Sequence, residues 1–174
     1  MKKTAATLIC VAAMVLLPAC GSNNGAAGEP ANPAAAAAKN ENAPLTGEAY
    51  DCTYFTITVV EGWVAGPLTF GMVNVLPKGK VSPGLYFKFE GDGNAAGTAE
   101  GSIGSMIQNY GGSPMSETTV AGTAFKSTTY SYSGMTQTMH VAYGNGTKIT
   151  ITIEGENGKD NPDIKAMLAS LKLK

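Results

Sequence analysis

Lys148-Ile149-Thr150-Ile151-Thr152-Ile153-Glu154 decides how this chain folds. Side chains two apart share one face of a strand, so Ile149, Ile151 and Ile153 turn to a core while Lys148, Thr150 and Thr152 turn outward. Directly before it stands Gly144-Asn145-Gly146, and Asn-Gly accepts the positive φ that a two-residue hairpin turn requires. The preceding stretch, 135–143, therefore returns antiparallel beside it, with Met139, Val141 and Tyr143 in step. Two more strand-like stretches lie upstream, a short one at 117–120 and one rich in Thr, Ser and Tyr at 123–133. Downstream, Asn161 is placed to cap a helix, with Pro162 at its first position and Asp163 in its first turn. Ile164, Met167, Leu168 and Leu171 follow at i, i+3, i+4 and i+7, one apolar stripe.

The segment before these strands reads in the same way. In 54–60, Phe55, Ile57 and Val59 alternate with Tyr54, Thr56 and Thr58, a half-buried strand. Glu61-Gly62 breaks it, and Trp63 is expected to pack against the sheet. A second strand at 69–76 stops at Pro77-Lys78-Gly79, and a third at 85–89 puts Leu85, Phe87 and Phe89 on one face. Over 95–110 the period changes to a helical one, with Ala96, Ala99, Ile103, Met106, Ile107 and Tyr110 on one side and Asn94 as cap. Gly97, Gly101 and Gly104 each cost that helix about 1 kcal/mol relative to Ala. Gly111-Gly112 ends it. The order βββ-α-ββββ-α with short turns specifies an α+β domain: an antiparallel sheet of about six or seven strands, packed with two helices.

Three pieces of this chain resemble the PsbP-like α/β sandwich and the small bacterial lipoproteins that carry it. They are Phe55-Thr56-Ile57-Thr58-Val59-Val60-Glu61-Gly62-Trp63, Val120-Ala121-Gly122-Thr123-Ala124-Phe125, and the closing Ile164-Lys165-Ala166-Met167-Leu168-Ala169-Ser170-Leu171. The commoner form has Pro where this chain has Val60. The resemblance covers most of 53–174 and implies a binding or assembly domain. Members with known roles mostly bind other proteins, as extrinsic subunits of photosystem II or as a factor for a nuclear GTPase. It carries over no catalytic residues, and a fold by itself does not fix a function.

The chain starts differently. Lys2 and Lys3 precede an apolar run interrupted only by Thr7, then Leu16-Leu17-Pro18-Ala19-Cys20. The run suits the core of a secretory signal and is too short to span a bilayer. Cleavage before Cys20 puts Leu17 at −3, which suits a lipoprotein peptidase rather than the ordinary one. Residues 1–19 are thus read as a lipoprotein signal, Cys20 as the lipidation site, 20–46 as a flexible tether and 47–174 as the globular domain. A diacylglyceryl thioether and an amide-linked chain on Cys20 hold a membrane stably, since two or more acyl chains are needed for that. Gly21, where Asp would signal inner-membrane retention, favours the periplasmic face of the outer membrane in a two-membrane host; otherwise the address is the outer face of the plasma membrane. The tether is rich in Ala, Asn, Gly and Pro and has no aromatic residue, so it has little to bury. Its root-mean-square reach is roughly 25–30 Å.

Composition excludes several functions. Every basic residue is Lys, and removing Lys2 and Lys3 from the 12 leaves 10 lysines against 13 acids, a net charge of −3. That argues against a nucleic-acid partner and against a polybasic membrane patch. After cleavage before Cys20 and acylation of its thiol, Cys52 alone remains free. It cannot form an intrachain disulfide, and it reads as a small apolar group at a strand edge.

The remaining candidates are few. Gly91-Asp92-Gly93-Asn94-Ala95-Ala96-Gly97 is one residue off a dinucleotide-binding turn and precedes no clear parallel strand, so an ordinary turn is expected. His140, the single histidine, falls opposite Met139 and Val141 and is expected to be exposed. A Ser-His-Asp triad would need it with Asp51, Asp92, Asp160 or Asp163, and no nucleophile elbow accompanies it. One histidine and one free cysteine do not make a zinc site. Glu154, Glu156 and Asp160 crowd one loop with Asn157, Asn161 and Asp163, a weak Ca²⁺ candidate better explained as a solvated turn and cap. Tyr130 and Tyr132 share one strand face amid Thr and Ser, near Tyr110 and Tyr143; exposed, they make a recognition surface, and under a helix they are core. The expectation is a non-enzymatic envelope protein with no cofactor beyond the lipid on Cys20. It would touch the membrane through that lipid and bind an envelope protein, or else carry a small molecule or lipid between sheet and helix.

Overall fold

The alternating isoleucines of 149–153 face the hydrophobic core. In the computed structural model, which describes residues 45–91, 97–144 and 146–174, Ile151 and Ile153 are buried and Ile149 packs against the core. Their strand is β9 in the order β1 (Gly47–Asp51), β2 (Phe55–Val60), β3 (Trp63–Ala65), β4 (Met72–Pro77), β5 (Gly84–Glu90), α1 (Ala99–Tyr110), β6 (Ser116–Val120), β7 (Thr123–Tyr132), β8 (Met135–Gly144), β9 (Thr147–Glu154), α2 (Pro162–Ser170) and β10 (Lys172–Leu173). The main sheet has seven antiparallel strands in the order β3-β4-β5-β9-β8-β7-β6. A second sheet, β1-β2-β10, was not foreseen. The chain changes sheets at Glu61-Gly62, the point at which the first strand was expected to break.

The two sheets pack through aromatic rings. Phe55 of β2 lies 4.5 Å from Phe87 and 5.5 Å from Phe89 of β5, centroid to centroid, and Tyr54 stacks on Phe89 at 4.5 Å. Helix α2 sits on β2, and its stripe residues Ile164 and Met167 are fully buried. Each such side chain contributes about 1.5–3 kcal/mol by leaving water. Asn161 Oδ1 accepts from the amides of Asp163 at 2.9 Å and Ile164 at 3.1 Å, the expected cap. Trp63 is buried, and its Nε1 donates to Asp163 Oδ2 at 3.2 Å, tying β3 to the first turn of α2. The helix ends one residue earlier than its stripe: Leu171 lies beyond it but stays buried, and β10 then pairs with β2.

Helix α1 lies on the opposite face of the main sheet, over β7 and β8, with Ile103 buried beneath it. It starts at Ala99, not Ala95, with Thr98 as cap: Thr98 Oγ1 accepts from Gly101 N–H at 3.0 Å. Asn94 and Ala96 lie outside the described residues. Gly111 closes the helix at φ 67, a left-handed conformation that glycine adopts without a Cβ penalty. Tyr110, placed on the buried stripe by its spacing, is exposed at the helix end. Among the described residues no helix is long and apolar enough to cross a membrane.

Candidate recognition surface

Alternate residues of β7, β8, β9 and β5 face α1 rather than the core. The register aligns Tyr130 with Gln137 and Gln137 with Glu154. Tyr130 Oη donates to Gln137 Oε1 at 2.8 Å, Gln137 Nε2 donates to Glu154 Oε2 at 2.9 Å, and Tyr86 Oη donates to Glu154 Oε1 at 3.4 Å. Four side chains from four strands thus form one hydrogen-bonded ladder across the sheet. Burial raises the Tyr130 phenol above its ordinary pKa, with the neighbouring Tyr110 and the charge of Glu154 adding to it. Tyr86 is raised by burial first and by Glu154 second.

At the end of the ladder the rings gather. Tyr110 stacks on Tyr130 at 5.7 Å and meets Tyr132 edge-on at 5.3 Å. Tyr130 is 7% exposed, so it belongs to the interior, whereas Tyr132, Tyr110 and Met135 are 48%, 41% and 40% exposed. The two residues expected to act together as a surface are divided by the end of α1: one is core and one is surface. What remains is a small exposed aromatic patch with hydroxyls.

The other candidates do not converge on it. His140 is 9% exposed and not a surface residue. It does point away from α1, but the opposite face of β8 is covered too, and its cross-strand neighbours are Ser127 and Ile151. Burial pushes its pKa down to about 4, and among the described residues Nδ1 has no hydrogen-bond partner. Glu154 is engaged in the ladder, and Asp160 pairs with Lys165 at 3.3 Å; among the described residues no three metal-ligating side chains cluster. Cys52 is free and half-buried against the core. Of the glycine-rich loop, 92–96 lie outside the described residues, as does Cys20 with the whole segment 1–44. All strand pairings in the described residues are antiparallel, so a dinucleotide-binding βαβ unit has no counterpart there.

Two concavities accompany these residues. One, of about 400 Å³, lies where β1 begins, against Glu61, Trp63 and Lys78. The other, of about 350 Å³, lies between the first turn of α1 and β6, β7 and β8, with Phe125, Val141 and Tyr143 in its wall. Lys126 at its edge bonds Glu117 at 2.5 Å and Glu100 at 3.2 Å. The Tyr143 hydroxyl is shielded from solvent and has no hydrogen-bond partner among the described residues.

No protein-family model matches the sequence, and no curated protein does. Solved structures do match. The cyanobacterial PsbP of Synechocystis sp. PCC 6803 aligns with a TM-score of 0.50 at 12% identity, over 79% of this chain and 98% of that one. The fold is PsbP-like. A protein of Bacteroides thetaiotaomicron aligns with a TM-score of 0.47 at 9% identity over 74% of this chain, which spans about half (48%) of that protein's length. At 12% identity the cyanobacterial likeness shows the fold and no residue roles.

Residues 69–76 were expected to be strand throughout, but Thr69 and Met72 close a two-residue hairpin on Phe70-Gly71, with Thr69 N–H donating to Met72 O and Met72 N–H to Thr69 O, both at 2.9 Å. The signal available was an X-Gly pair inside an apolar run.

Proposed function

We propose that this chain is a lipoprotein held to a membrane of the cell envelope through acylated Cys20, and that its PsbP-like domain binds a protein partner. The anchor reading rests on the signal pattern that ends at Cys20. The binding reading rests on one observation: the space between the layers is filled by Phe55, Phe87, Leu85, Ile151, Ile164 and Met167, each below 2% exposed. A filled interior leaves recognition to the surface. Lysine-directed crosslinking in living cells, followed by purification of the chain from membranes, tests this. One envelope protein joined in a fixed ratio is the expected product. A chain recovered uncrosslinked with a stoichiometric small molecule would contradict it.

The 350 Å³ concavity supports a second reading, a carrier of a small, mostly apolar molecule with one hydrogen-bonding group for Tyr143. Mass spectrometry of the native protein, before and after Tyr143→Phe, checks it. A ligand mass that disappears in the variant favours the carrier, and an empty wild type removes it.

A further inference from the structure

We draw no further inference here: the strongest candidate, the concavity of about 350 Å³ between the first turn of α1 and strands β6, β7 and β8, belongs to the site already described, and its charged groups, Glu100, Lys126 and Glu117, are paired with one another, which leaves nothing in the structure to name the ligand more closely.

Discussion

Two aromatic regions lie at opposite ends of this domain, and they are not alike. The Tyr110-Tyr130-Tyr132 group is explained from within: the rings contact one another, Tyr130 is buried, and its hydroxyl is the end of a hydrogen-bonded ladder through Gln137 and Glu154 to Tyr86. Phe70 is explained by nothing in the chain; it is exposed, left-handed and without a ring contact among the described residues. Aromatic residues that fold a protein and aromatic residues that the fold tolerates look the same in a sequence. Their packing separates them, and the sign of a substitution should separate them too.

The largest expected effect is at Tyr130. Tyr130→Ala removes a buried ring and strands Gln137, which should lower unfolding free energy by about 3 kcal/mol or more in a urea titration. A loss under 1 kcal/mol would place Tyr130 with Phe70 rather than against it. His140 sharpens the comparison, because it is buried like Tyr130 but lacks a partner for Nδ1 among the described residues. An imidazole titrates near 6.5 when unfolded and at about 4 here, pushed down by burial. The unfolded chain therefore takes up the proton first, so stability is full above pH 6.5 and falls as pH drops from 6.5 towards 4. The whole shift is worth roughly 3 kcal/mol. Carboxylates titrate in the same range in both proteins, so the test is the difference: His140→Leu should lose less stability between pH 7 and pH 4.5 than the wild type does.

A smaller effect is expected at Gln137. Gln137→Leu breaks the ladder in its middle, leaving Tyr130 and Glu154 each short of one bond, for a loss of about 1–2 kcal/mol. In a double-mutant cycle with Tyr130→Phe the losses should not add, since both remove the same bond. The smallest change has the opposite sign. Phe70→Asn, which creates the Asn-Gly pair that this hairpin favours, should stabilise the isolated domain by about 1 kcal/mol. Destabilisation would mean that the ring serves the fold after all.

The core face of the main sheet was legible because alternation is a local property. Leu85, Phe87 and Phe89, like Ile151 and Ile153, announce their side of the strand within five residues. The helix cap at Asn161 was legible for the same reason, as acceptor, proline and acid stand in adjacent positions. The second sheet was not. Its outer strands, β1 and β10, are short and mostly exposed, and they exist because β2 offers both of its edges, which no periodicity records. His140 was misread for a related reason: alternation gives the face of a strand but not what covers it. The Tyr86-Glu154-Gln137-Tyr130 ladder depends on the register between strands distant in sequence. Phe70 lies inside an apolar run, where only the glycine that follows it marks a turn.

The proposed biological setting rests on one sulfur, that of Cys20. The intact mass of the mature protein, purified from membranes, tests the setting most directly. The account expects a chain whose first residue is Cys20, heavier than its sequence by a diacylglyceryl group and an amide-linked acyl chain, and expects Cys20→Ala to leave the membrane fraction. A mature chain that begins elsewhere and carries no fatty acid would contradict it.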